Sequence, residues 1–152
     1  MTIQQEQKLQ TFNLRAPRPK GTKGDTPVYV TDLMWMHMKV YTVGGENDLH
    51  MHPTEEHSFI VLEGQATFFD KDETPTVVNP FEGILLPRGT YYHFRSSGPV
   101  NLVMLRTGAG VNTRLPGMQL DRRGPGGEHM PSNPSQANKP RVDVPGAFLK
   151  GS

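Results

Sequence analysis

The feature that most constrains this chain is the clustering of three of its six histidines in one stretch, residues 44–64, GGENDLHMHPTEEHSFIVLEG. His50 and His52 are two residues apart, so on an extended strand both side chains point to the same side. His57 follows a short polar Pro-Thr-Glu-Glu turn, where a second apolar run begins. If the two runs pair across that turn, the three imidazole rings converge on one point. Three neutral imidazoles suit Zn, Fe, Ni or Cu and leave coordination positions open.

This stretch resembles the first metal motif of the cupins, small β-barrels with the pattern G-x5-H-x-H-x3-or-4-E-x6-G. Gly44, His50, His52 and Gly64 fit that spacing, but His57 stands where the family usually has a glutamate. The neighbouring Glu56 is one residue out of register, which on a strand means the opposite face. We therefore predict His50, His52 and His57 as the metal ligands, with Glu56 as the alternative to His57.

A second stretch, residues 80–98, PFEGILLPRGTYYHFRSSG, resembles the second cupin motif, G-x5-P-x-G-x2-H-x3-N. Tyr92 occupies the position of the family's histidine, and His93 comes one residue later. An ungapped alignment turns Tyr92 inward, where its phenol could hydrogen-bond a metal-bound water or substrate. A bulge at residues 90–91 would turn His93 inward instead and give a four-histidine site. Both are candidate catalytic residues, and the inward Tyr92 is favoured.

The composition of the whole chain excludes several classes of protein. Its 152 residues correspond to about one domain. The net charge of +1 gives no electrostatic reason for a nucleic acid or an anionic membrane as partner. The chain has no cysteine, so any metal must be held by nitrogen and oxygen atoms. The N-terminus is polar and no run approaches the ~20 apolar residues of a membrane span, which predicts a soluble cytoplasmic protein.

The abundant glycine and proline and the short β-prone runs favour an all-β core. With the resemblance, they predict a cupin-type β-barrel, a double-stranded β-helix or jelly-roll, over residues 27–108. Residues 1–26 are expected to form an N-terminal arm that either has little structure of its own or donates an edge strand to a partner subunit. Residues 109–152 are expected to form an extended Gly/Pro-rich C-terminal tail without helix or strand, laid along the barrel over its mouth or across a dimer.

Two further expectations concern packing. In the strand predicted over residues 33–43, the face with Met34, Met36 and Met38 is expected to line the barrel interior, since flexible thioethers fill irregular apolar space. The resemblance also implies a homodimer, because N-terminal arms exchanged across a two-fold axis would cover exposed sheet edges.

The resemblance implies a metal-dependent dioxygenase that acts on a small keto, enol or phenolic compound, with Fe(II) as the favoured metal. Zn, Ni or Mn would instead act as a Lewis acid in a redox-neutral isomerase, lyase or cyclase. A non-catalytic module that binds a small ligand is the third possibility, since the fold alone does not decide function. A three-histidine site without a carboxylate favours an anionic chelating substrate, to which Arg88 and Arg95 could contribute.

Overall fold

The computed structural model describes residues 7–21, 23–41, 48–110, 121–130 and 142–150. The secondary structure of these residues is entirely β. The strands are β1 (Arg15–Pro19), β2 (Gly24–Val30), β3 (Met34–Tyr41), β4 (Glu55–Glu63), β5 (Ala66–Phe69), β6 (Pro75–Val78), β7 (Gly83–Leu86), β8 (His93–Ser96), β9 (Leu102–Gly110) and β10 (Asp143–Lys150). Within the described ranges, no helix has the length and apolar character that crossing a membrane requires.

Two antiparallel sheets enclose the core of a jelly-roll barrel. The larger sheet has the strand order β2-β3-β9-β4-β7, and the smaller has the order β6-β5-β8. Side chains from both sheets form one buried apolar cluster: Tyr41, Phe59, Val61, Ala66, Phe68, Val78, Leu86, Tyr92, Phe94, Leu102 and Met104. The predicted all-β, cupin-type fold is confirmed.

Strand β4 connects this apolar core to the polar end of the barrel. Its buried residues alternate with exposed or half-buried ones, so that Glu55, His57 and Phe59 face inward while Glu56 and Ile60 face outward. This is the period-two alternation of a strand with one face in the core. The same strand therefore supplies core packing at one end and ionisable side chains at the other.

The prediction for the methionine face of β3 is wrong. Trp35 and Tyr41 lie on the interior face, whereas Met38 packs with Ala16 of β1 in a second apolar cluster on the opposite face of the large sheet. Alternation separates the two faces of a strand, but it does not say which face is interior when both are covered. The N-terminal arm covers the methionine face and makes it a second core.

The arm and the tail are more ordered than expected. β1 in the arm pairs with β10 in the tail as a separate two-stranded antiparallel sheet, with Pro17 opposite Phe148. The expectations of an arm with little structure and a tail without strands are therefore wrong for these residues. Their pairing joins segments far apart in sequence, which local periodicity cannot reveal. The barrel strands also extend slightly beyond the predicted bounds, since β2 begins at Gly24 and β9 ends at Gly110.

A second part of the tail, residues 121–130, lies against the barrel. Arg123 forms an antiparallel bridge with Met51, in the segment that carries His50 and His52. The hydroxyl of Tyr91 donates a hydrogen bond to the carbonyl of Gly124 at 3.1 Å. This portion of the tail therefore covers the histidine-bearing end of the barrel, while residues 111–120 and 131–141 lie outside the described ranges.

Candidate metal centre

Three buried side chains at this end of the barrel form a group that could hold a metal ion. His52, Glu55 and His57 each offer one ligand atom, and these atoms lie within 4.8 Å of one another. Glu55 and His57 are two residues apart on the inward face of β4, and His52 precedes that strand. Two imidazoles with one carboxylate form a donor set typical of first-row transition metals.

His50 lies beside this group. Its ring centroid is 5.1 Å from that of His52. Nδ1 of His50 donates to the carbonyl of Asp48 at 2.6 Å, and Nδ1 of His52 donates to the carbonyl of Asp121 at 2.8 Å. Each bond fixes the ring and puts the proton on Nδ1, so that Nε2 is the nitrogen with a lone pair, which is the tautomer and orientation found in metal-ligating histidines.

Both of these histidines are held in their neutral form. Burial lowers the pKa of His50 to about 2, and the positive charge of Arg122 acts in the same direction. Burial likewise lowers the pKa of His52 to about 2, with further contributions from His57 and Arg106. Neutral imidazole is the form that binds a metal, so neither ligand has to lose a proton first.

A chain of hydrogen bonds links the other two members of the group to their surroundings. The indole Nε1 of Trp35 donates to one carboxylate oxygen of Glu55 at 3.1 Å, and Nε2 of His57 donates to the other at 3.2 Å. Nδ1 of His57 then accepts from Nη2 of Arg106 at 3.1 Å. The same Nη2 lies 3.4 Å from Nε2 of His52. The donor atoms fit a divalent metal, whose binding would replace these two contacts of Arg106.

The two positions of the second motif face in opposite directions. Tyr92 is buried, its ring centroid is 4.5 Å from that of His50, and its backbone pairs with His50. His93 stacks on Phe69 and hydrogen-bonds Glu73 at 2.9 Å, away from the histidines. The structure thus brings Tyr92, and not His93, to the candidate centre. The catalytic roles of both residues stay predictions.

Two neighbouring glutamates of β4, Glu55 and Glu56, lie on opposite faces of the strand. Glu56, the predicted alternative ligand, is exposed and lies 4.0 Å from Arg88 on the surface. Glu55, which the sequence analysis placed in a turn, is the carboxylate of the metal-binding group. Its signal was present in the sequence, because Glu55 is two residues from His57 and therefore on the same face of a strand.

Two buried arginines were also missed. Arg106 and Arg122 are 8% and 7% exposed, and each places Nη2 on an imidazole of the site. Arg106 follows Leu102 and Met104 on the inward face of β9, so alternation could have found it. Arg122 had no such signal, because it reaches His50 from the tail. Arg95, by contrast, lies over the ring of Phe69 on the outside of the barrel.

The candidate centre adjoins an apolar cavity. A pocket bordered by His52, Glu55 and His57 is completed by four residues: Leu86, Pro87, Thr90 and Tyr92. A neighbouring cavity of about 220 Å³ shares Leu86, Thr90 and Tyr92 and is otherwise lined mainly by aromatic and aliphatic side chains. A small organic molecule in this cavity would contact Tyr92, which also borders the pocket of the candidate ligands.

Comparisons with known proteins agree with this architecture. The Cupin domain model matches residues 37–107. An uncharacterized Bacillus subtilis protein, YdbB, is 38% identical over 61 residues, which are 40% of this chain and 52% of YdbB. The chain thus spans about half the length of that relative.

Solved structures show the same fold at lower identity. A Klebsiella pneumoniae protein with a double-stranded β-helix domain superposes with a TM-score of 0.58 at 21% identity, over 62% of this chain and 79% of that one. An oxalate oxidase bound to the substrate analogue glycolate gives a TM-score of 0.52 at 20% identity, over 60% and 53%. The residues that match the Cupin domain model thus form a β-barrel with the double-stranded β-helix fold, and they carry a His-Glu-His group suited to a metal.

Proposed function

We propose that this protein is a metal-dependent cupin enzyme that uses Fe(II) in a dioxygenase reaction on a small keto, enol or phenolic compound. The observation that carries the proposal is the group of His52, Glu55 and His57. Two histidines and one carboxylate with open positions form the donor set of non-heme Fe(II) oxygenases. His50, with Nε2 free of its backbone hydrogen bond, is proposed as an additional ligand.

Fe(II), when bound, would provide open coordination positions for dioxygen and substrate, and the substrate itself would supply the electrons that reduce dioxygen. The carboxylate of Glu55 offsets one positive charge and orients His57 through a hydrogen bond. Tyr92 lines both the ligand pocket and the cavity, so its hydroxyl can hydrogen-bond a substrate in either place. The apolar cavity wall excludes water from the organic part of the substrate.

The first test is elemental analysis of protein purified without oxygen, for wild type and two variants. We expect about one equivalent of iron in wild type and its loss in His57→Ala. His93→Ala is the matched control, because the same side-chain change outside the centre leaves the iron in place. Oxygen consumption with a panel of small keto, enol and phenolic compounds then tests the reaction.

The other outcomes are equally informative. Zinc, nickel or manganese in the purified protein would contradict the dioxygenase proposal and favour a redox-neutral isomerase, lyase or cyclase. A wild-type protein that holds no metal even after reconstitution would leave a non-catalytic module that binds a small ligand.

We also propose that the protein forms a homodimer. We propose further that its site binds a small molecule and that the protein is located in the cytoplasm. β7 is an edge strand of the large sheet. Ile60 of β4 and Leu85 of β7 lie on the outer surface of this sheet, and they are 41% and 65% exposed. Such an edge is a candidate for pairing with a second copy. A monomer mass from size-exclusion chromatography with light scattering would contradict this part of the proposal.

A further inference from the structure

Two positive charges lie buried inside the site. Arg106 and Arg122 are buried, yet neither forms an ion pair with any carboxylate of the described residues. Among the described residues, the contacts of their Nη2 atoms are with imidazole nitrogens. Their Nε atoms are buried without a hydrogen-bond partner in the described part of the chain. A buried guanidinium is costly unless an anion compensates it.

A buried lysine near the candidate centre provides a comparison, because it is paired with a carboxylate. Lys39, on the interior face of β3, forms an ion pair with Asp25 at 2.8 Å. Arg106 lies on the adjacent strand β9 opposite His37, yet no carboxylate of the described residues forms an equivalent ion pair with it. Around the candidate centre, Glu55 is the single buried carboxylate among the described residues, against two buried guanidiniums. The exposed Asp48 partly offsets the charge of Arg122, and a divalent metal would add two positive charges to the centre.

We infer that the substrate of this site carries a carboxylate, which binds between the guanidinium groups of Arg106 and Arg122. The inference rests on the proposed function for the place of the substrate beside the metal, although the charge that recognises the carboxylate belongs to the chain itself. Guanidinium groups bind carboxylates through paired, charge-assisted hydrogen bonds, and both Nε–H groups are buried without a partner among the described residues.

The surroundings favour a flat anion attached to a compact apolar body. The guanidinium carbon of Arg106 lies 5.1 Å and 5.5 Å from the ring centroids of Trp35 and Phe59, which restricts the space on its faces. A planar carboxylate needs less depth than a tetrahedral phosphate there. The cavity of about 220 Å³ beside Tyr92 provides apolar walls for the rest of the molecule. A 2-oxo carboxylate with an aryl or short alkyl group combines these features.

Arg122 also gives the tail a specificity role. It lies in residues 121–130, which pack on the histidine-bearing segment through the bridge between Met51 and Arg123. The barrel by itself supplies only Arg106. The tail therefore completes the anion-binding pair, and its position determines whether both guanidinium groups face the same ligand.

The test is isothermal titration calorimetry of the full chain, with and without Fe(II) under anaerobic conditions. The probes are benzoylformate, a 2-oxo carboxylate with a phenyl ring, and its uncharged amide, benzoylformamide. We expect the carboxylate to bind about tenfold or more tightly than the amide, since a charge-assisted pair outweighs a neutral one by about that factor. We expect Arg122→Gln and Arg106→Gln each to abolish that preference. Arg88→Gln, which removes an exposed arginine, should retain it.

Several outcomes would overturn the inference. They are equal affinity of wild type for both probes, an unchanged preference in Arg122→Gln, and competition by inorganic phosphate as strong as that by benzoylformate. Arg106→Lys keeps a positive charge in the barrel if Arg106→Gln unfolds, and it should bind the carboxylate more weakly than wild type. Arginine-dependent binding in a chain that takes up no metal would support the inference while contradicting the dioxygenase. Iron-dependent oxygen consumption that Arg122→Gln leaves unchanged would support the dioxygenase while contradicting the inference.

Discussion

Nε2 of His57 lies 3.2 Å from a carboxylate oxygen of Glu55, two residues earlier on the same face of β4. The bond joins two buried side chains that both belong to the candidate metal group. It leaves the second oxygen of Glu55 for the indole of Trp35. Glu55 is therefore held in one position before any metal binds, and its orientation depends on the residues that surround it.

We expect Glu55→Gln to lower the affinity for iron by about tenfold or more, because the amide replaces an anionic ligand and an orienting carboxylate. Anaerobic titration of the metal-free protein with Fe(II) measures this. Glu56→Gln is the control, since Glu56 faces solvent near Arg88. Equal losses in the two variants would contradict the assignment of Glu55.

A second prediction concerns the contact between Gly108 and Trp35. A Cβ atom at Gly108 would lie 2.3 Å from two carbon atoms of the Trp35 ring. Gly108→Ala must therefore displace the indole and weaken its hydrogen bond to Glu55. We expect a loss of about 1–3 kcal/mol in the free energy of unfolding, as for other overpacked interiors, together with weaker iron binding.

Urea denaturation and Fe(II) titration measure the two effects of Gly108→Ala. Gly98→Ala is the matched control, because its added Cβ would come no closer than 3.3 Å to Gln65. A Gly108→Ala protein as stable as wild type would show that Trp35 has room to move.

The barrel, and the positions of several residues of the candidate site, could be predicted from the sequence for one physical reason. Period-two alternation and short-range spacing carry the information that places His52 and His57 on one side and Tyr92 inward. The same rule places Glu55 and Arg106 on the inward face, but Glu55 was assigned to a turn and Arg106 was not considered as a site residue. The first omission is an error of strand boundary, which local patterns determine least well.

The remaining differences come from contacts between segments distant in sequence. Arg122 reaches His50 across 72 positions, and the carbonyl of Asp121 meets His52 across 69. The methionine face of β3 was misplaced because the arm around Ala16 covers it. No periodicity within a segment encodes such pairings, since they depend on how the chain returns to the barrel.

The stability of the metal-free protein should fall as the pH is lowered. Burial depresses the pKa of His50 and His52 from the ordinary 6.5 to about 2. Below pH 6.5 the unfolded chain therefore binds up to two protons that the folded chain does not, and the stability is lost progressively down to about pH 2. Each histidine contributes up to about 1.4 kcal/mol per pH unit, so the free energy of unfolding should drop by up to about 4 kcal/mol from pH 7 to 5.

Urea titrations of metal-free protein at pH 7, 6 and 5 measure that slope. In the variant His50→Gln, the free energy of unfolding should fall about half as steeply with pH as in wild type, since one of the two titrating groups is gone. A flat dependence in wild type would mean that the two imidazoles are accessible to protons in the folded state.

The last prediction concerns how the tail is held over the site. A carboxylate oxygen of Asp121 accepts a hydrogen bond from the hydroxyl of Thr54 at 2.8 Å, while its carbonyl accepts from His52. Asp121→Ala removes this bond and the 3.6 Å contact of the carboxylate with Nε of Arg123, but it keeps the backbone bond to His52. The loss should make local opening of residues 121–130 easier by about 1 kcal/mol. Trypsin should then cut after Arg122 and Arg123 about fivefold faster, as followed by mass spectrometry. Asp72→Ala, at the exposed tip between β5 and β6, should leave that rate unchanged. If Asp121→Ala is cut no faster than wild type, the tail is held by its backbone bridges and not by this side chain.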